Sequence, residues 1–216
     1  MIDNYQARLV FPSVFHEYTF KESDFNKDQL VDFCYLQKKL HPEGLHRSNN
    51  GGWHSPIFKL EDQNPISSHI EKGLSNSVFT TLEKYIAVKV EYWIMINNPN
   101  SYNIAHTHPN SDLSGVFWIK TPEESGKLKF VNPSCFQAYL EINSYVSKFT
   151  SDTNVHEAYI YTPKEGMIIT FPSHTLHEVE QNKSEEDRIA VSYNINLAGW
   201  DDNFDNDESS SYIEKK

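Results

Sequence analysis

The sequence predicts a mainly β protein, a double-stranded β-helix (jelly-roll) barrel braced by two N-terminal helices. Three observations carry this expectation. From Lys89 onward, short β-prone runs follow one another: VKVEYWIMI, LSGVFWIK, KLKFVN, EAYIYT, GMIITF, HEVEQ and RIAVSYNINL. Between most of them stand only short polar turns such as NNPN, TPEESG and TPKEG, rich in residues that reverse a chain. The 13 Phe, 12 Tyr and 4 Trp in 216 residues suit a β-rich interior. Strands spaced this closely pair antiparallel, and with an extended N-terminal segment they number roughly eight, as in a jelly roll.

The elements follow in order. Arg8 to Phe20 reads as extended, with a break at Pro12. A helix is expected over residues 23–41. There Leu30, Phe33, Leu36, Gln37 and Leu40 recur at three- and four-residue steps, Ser23 or Asp24 can cap the start, and Pro42 and Gly44 follow the end. The next stretch, HRSNNGGWHSP, is dense in turn formers. Within it, residues 48–56 combine two glycines with Trp53 and His54, as a lid or substrate contact, or as an ordered link from helix to barrel. A second helix is expected over 65–87, where Ile66, Ile70, Leu74, Val78, Leu82 and Ile86 fall at successive steps of four behind Pro65. The barrel core should occupy about 88–198 of a single domain spanning 1–200, and residues 201–216 read as a flexible acidic tail.

Charge narrows the partners. Thirty acidic against 19 basic residues give a formal charge of −11, which disfavours duplex nucleic acid and anionic membrane surfaces. No run approaches the roughly 18 apolar residues of a membrane span. The amino terminus, MIDNYQARLVFPSVF, has no basic segment ahead of an apolar one, unlike a signal peptide. Cys34 and Cys135 cannot staple a chain of this size and read as reduced thiols, so a cytoplasmic location is expected. A homodimer is possible, because the two helices could form a dimer face as readily as brace the barrel.

The chemistry gathers at histidines. His106 and His108 form an H-x-H at the end of the extended segment SYNIAHTHP. Residues two apart in a strand project from one face, so two imidazoles can reach one metal ion. His177, just after a strand ending at Phe171-Pro172, is the candidate third ligand. His174 is left out, because its three-residue spacing from His177 serves a helix and PSHTLHE is not one. Arg188, at the start of the final strand, needs a partner inside an acidic protein. That partner is either Glu185, Glu186 or Asp187 beside it, or an anionic co-substrate held bidentately near the metal. Protonated imidazoles cannot coordinate, so metal should leave as the pH falls through the histidine range.

These residues resemble the 2-oxoglutarate/iron(II)-dependent oxygenases, in which an H-x-D/E pair and a distal histidine bind iron and a basic residue about ten positions on holds 2-oxoglutarate. More narrowly, the chain resembles a family of uncharacterised substrate, with an H-x-H-P motif, common in marine bacteria and phages. The matching segments are SNNGGWHS at 48–55, HTHPNS and LSGVFWI from His106, GKLKFVNP from Gly126, and GMIITFPSHTLHEV running on to Arg188 and YNI. The resemblance implies Fe(II) held by His106, His108 and His177, with 2-oxoglutarate as co-substrate and Arg188 on its far carboxylate. Asn97 and Tyr102 could hydrogen-bond 2-oxoglutarate or a histidine nitrogen, and Ser114, which shares a strand face with Trp118, is a further pocket candidate. One departure matters: His108 stands where most such oxygenases place a carboxylate. Either three imidazoles leave the full +2 charge on iron, or Asp112 folds back as the ligand. The same Asp112 spacing also resembles a cupin, whose metal site would not use 2-oxoglutarate, although the expected flanking glycines are replaced by Asn100 and Ile119. The resemblance implies hydroxylation of a small molecule or peptide and leaves the substrate open.

Overall fold

In a computed structural model, residues 13–82, 85–133, 141 and 156–199 are described. The expected tail, the start of the extended N-terminal segment and Cys135 lie outside them. The described strands form two antiparallel sheets. The larger runs β1 (His16–Thr19), β10 (Met167–Pro172), β7 (Leu113–Lys120), β12 (Arg188–Gly199), β5 (Tyr85–Asn97) and β3 (Trp53–His54), with β4 (Phe58–Lys59) also on β5. The smaller runs β2 (Asn49–Asn50), β6 (Tyr102–His106), β11 (His177–Val179), β8 (Leu128–Val131) and β9 (Ala158–Tyr161). Two antiparallel sheets in a mainly β chain are consistent with the jelly-roll expectation.

A period of two in the two longest strands explains how the sheets are used. In β5, Val90, Tyr92, Ile94 and Ile96 join a core with Leu30 and Cys34 of α1 (Lys27–Leu40) and Ile66, Ile70 and Leu74 of α2 (Pro65–Ser75). Alternate residues, Lys89, Glu91, Trp93, Met95 and Asn97, line a cavity on the opposite face. β12 repeats the pattern: Ile189, Val191, Tyr193 and Ile195 face the helices, and Arg188, Ala190, Ser192, Asn194 and Asn196 line the cavity. A second core, with Val116, Trp118, Leu128, Phe130, Ile169 and Phe171, draws residues from both sheets. The helices therefore brace the outer face of the large sheet. Leu30, Ile66, Ile70 and Leu74 have no exposed surface, and each such burial contributes on the order of 1.5–3 kcal/mol.

Three expectations change. The first helix begins at Lys27, not residue 23, because Asn26 caps it by accepting from the Gln29 amide at 3.2 Å; residues Glu22–Asp24 form a separate 3-10 turn. The second helix stops at Ser75 instead of reaching 87. Asn76 donates back to the Lys72 carbonyl at 2.7 Å and Ser77 to the Gly73 carbonyl at 2.7 Å, local bonds that compete with further helix. Val78 continues the apolar stripe in a 3-10 turn, and Ile86 belongs to β5. The 48–56 segment is not a free lid. Asn49 and Asn50 pair with β6, Trp53 and His54 pair with β5, and Gly51 and Gly52 make the turn between them at φ +69° and +66°.

Candidate metal centre

His106 ends β6 and lies directly opposite His177 on β11. The two are neighbours across one ladder, not residues from opposite walls. His108 stands two residues beyond His106, past the end of the strand, where its backbone N–H donates to the Ser173 carbonyl at 3.0 Å. One ring nitrogen from each of the three histidines lies within 4.8 Å of the others. The His108 and His177 Nε2 atoms are 3.3 Å apart.

Hydrogen bonds settle which nitrogens can bind. Nδ1 of His106 lies 2.7 Å from the Ile104 carbonyl, Nδ1 of His177 is 2.9 Å from the Thr175 carbonyl, and Nδ1 of His108 is 2.7 Å from Asn194 Oδ1. Backbone carbonyls only accept, so Nδ1 of His106 and of His177 carries the proton and their Nε2 atoms keep a lone pair; His108, facing an amide oxygen, is oriented the same way. Burial reinforces the neutral form. It lowers the pKa of all three, with His108 pushed down to about 4 and His177 to about 3. For His108 and His177 the neighbouring imidazoles add to the shift. Three neutral rings with convergent lone pairs are a ligand set for a divalent transition metal, and imidazole suits iron.

Arg188 lines the same cavity, of about 780 Å³, and is 2% exposed. Its Nη1 donates to the carbonyls of Ser125, Gly126 and Glu180 at 2.5, 3.3 and 3.5 Å. Among the described residues it makes no ion pair. Two of its acidic neighbours are engaged elsewhere: Glu186 pairs with Lys120 at 2.7 Å, and Asp187 accepts from Tyr35 Oη at 2.9 Å. Burial without a carboxylate lowers the guanidinium pKa to about 10, which still leaves it charged at neutral pH. A buried, uncompensated cation facing a cavity is costly unless an anion joins it.

The remaining candidates divide. Asn97, opposite Arg188 in the β5–β12 ladder, lines the cavity and donates to Asn103 Oδ1 at 3.3 Å. Tyr102 does not line it. A register shift in β6 between Asn103 and His106 breaks the strand alternation, so Asn103 takes that place and Tyr102 lies at an outer depression beside Glu123 and Glu124. Ser114 is fully buried and donates to Asn194 Oδ1 at 2.8 Å, so it supports a neighbour instead of facing a ligand. Asp112 stays outside the histidine cluster, because its Oδ2 accepts from the Leu197 backbone N–H at 2.8 Å. His174 is exposed.

Sequence reasoning missed Asn194, Asn103 and the ring column in which Trp93 stacks on His54 at 5.6 Å and on His108 at 5.7 Å. The polar residues alternating through RIAVSYNIN were the available signal for Asn194.

A family model described as "Putative 2OG-Fe(II) oxygenase" matches residues 91–194, just under half the chain, and includes every candidate ligand and Arg188. No curated protein matches the sequence. Among solved structures, the fold is similar to the non-heme alpha-ketoglutarate-dependent carbocyclase SnoK of nogalamycin biosynthesis, at 12% identity and TM-score 0.57, covering 85% of this chain and 79% of that one. It is also similar to a Pseudomonas putida prolyl-4-hydroxylase at 11% identity and TM-score 0.55, covering 84% and 92%. HygX from Streptomyces hygroscopicus, solved with nickel and 2-oxoglutarate bound, aligns at 12% identity and TM-score 0.50 over 84% and 83%. Family match and fold together support the 2OG-Fe(II) oxygenase superfamily. At such identities the structural likeness speaks to fold alone.

Proposed function

We propose that the protein is a 2-oxoglutarate- and Fe(II)-dependent oxygenase, with hydroxylation of a small-molecule or peptide substrate as its reaction. His106, His108 and His177 hold the metal through Nε2. Arg188 receives the distal carboxylate of 2-oxoglutarate, and Asn97 offers an amide at the same end of the cavity. When bound, iron supplies the centre at which dioxygen is reduced while 2-oxoglutarate becomes succinate and carbon dioxide, one oxygen atom passing to the substrate C–H bond and the other to succinate. The chain's own groups orient these partners and exclude water. Val116, Trp118, Leu128 and Phe171 give the cavity apolar walls, which strengthen the Arg188–carboxylate attraction. The single observation that supports the reading best is the pairing, on one cavity, of three histidine ring nitrogens within 4.8 Å of one another with a buried arginine that has no carboxylate partner among the described residues. A metal site that used no 2-oxoglutarate would leave the charge of that arginine balanced only by backbone carbonyls.

Calorimetric titration of 2-oxoglutarate into Mn(II)-loaded protein tests the proposal. The expected result is one-to-one binding that needs the metal and disappears in His177→Ala. Stoichiometric metal with no 2-oxoglutarate binding would overturn it.

A further inference from the structure

The three imidazoles are not held alike. Backbone carbonyls orient His106 and His177, whereas the Nδ1–H of His108 is met by a side chain, Asn194 Oδ1, at 2.7 Å. His108 lies beyond the end of β6, and its ring is held by this contact, by the stack on Trp93 and by the neighbouring rings of His106 and His177. The amide oxygen is shared: Ser114 Oγ donates to the same Oδ1 at 2.8 Å. Asn194 and Ser114 are direct partners in the β12–β7 ladder, so both groups ride on paired strands.

We propose that Asn194 is a positioning residue for the metal centre: its oxygen, shared with Ser114, holds His108 in the Nδ1–H tautomer with Nε2 aimed at the ion. The inference rests on the oxygenase reading only in requiring a metal at the three histidines. Outer-shell partners of this kind typically change metal affinity by about 10- to 100-fold.

Two measurements on the full chain test it. In the metal-free protein, long-range ¹H–¹⁵N correlation of the imidazole rings reports each tautomer. His108 should be Nδ1-protonated in the parent and lose that preference in Asn194→Ala. Titration with Co(II) should show affinity falling about 10- to 100-fold in Asn194→Ala and returning to near the parent value in Asn194→Asp, which keeps an acceptor. Ser114→Ala should fall between them. Unchanged tautomer and affinity in Asn194→Ala would overturn the proposal, as would an Asn194→Asp variant as weak as the alanine, which would mean packing alone. A parent chain that binds neither Co(II) nor Fe(II) would remove the metal centre itself, and the oxygenase reading with it.

Discussion

His177 lies among aromatic rings, 5.1 Å from Phe171 and 5.7 Å from Phe130 by ring centroids, and that apolar setting determines how the site answers pH. An unfolded histidine titrates near 6.5. In the fold, burial pushes His108 to about 4 and His177 to about 3, so the native state resists protonation through a range where the unfolded chain accepts it. The unfolded state then binds more protons, and stability declines as pH falls from about 6.5 toward 4. The same shifts place the predicted proton competition for the metal below the ordinary histidine range, a lower window than the sequence alone suggests. Equilibrium dialysis with circular dichroism should show metal retained from pH 7 to about 5 and lost as pH approaches 4. Release centred near 6.5 in the folded protein would contradict a buried site.

At the scale of elements, two turns carry separable duties. Gly126 takes φ +90°, and a Cβ there would overlap the Glu180 carbonyl and crowd Arg188 Nη1. Gly126→Ala should therefore weaken 2-oxoglutarate binding by about tenfold or more while leaving metal affinity unchanged, and should cost about 1–3 kcal/mol of stability; calorimetry of both ligands checks it. Asn64, by contrast, caps α2 by accepting from the Ile66 and Ser67 amides at 2.9 and 3.1 Å, far along the chain from any ligand. Asn64→Ala should cost about 1–2 kcal/mol in denaturant unfolding, with metal and 2-oxoglutarate affinities unaltered. Much of this layer was legible in advance. The alternation in β5 and β12, the step-of-four stripe of α2 and the H-x-H segment are local patterns, readable one residue at a time. The end of α2 was not, because the stripe continued through Val78 while Asn76 and Ser77 turned the backbone by bonds that hydropathy does not register. Tyr102 was misplaced for a related reason: choosing it over Asn103 required the register of β6, which pairing with β2 and β11 decides. Asn194 meets His108 across 86 residues, and only the assembled sheets reveal that contact.

Over the whole molecule, the candidate centre ties the two sheets together. His106 and His177 come from the small sheet, and His108 is bonded to Asn194 of the large one. A metal bound there acts as a cross-link and stabilises by mass action, about 2.7 kcal/mol at a hundred times the dissociation constant. Adding Co(II) to metal-free protein should raise the melting temperature by several degrees, chelator should reverse the gain, and His106→Ala or His177→Ala should abolish it. No helix among the described residues is long and apolar enough to cross a membrane. Exposed residues of mixed polarity, Arg47, Ile57, Pro109 and Asn110, are among those that line the cavity.

The most direct test of the central claim is anaerobic titration of the Fe(II)-loaded protein with 2-oxoglutarate, read by the metal-to-ligand charge-transfer band in the visible. The account predicts a saturable band that vanishes in Arg188→Ala while iron stays bound. Bound iron that develops no band, or a band indifferent to Arg188, would contradict it.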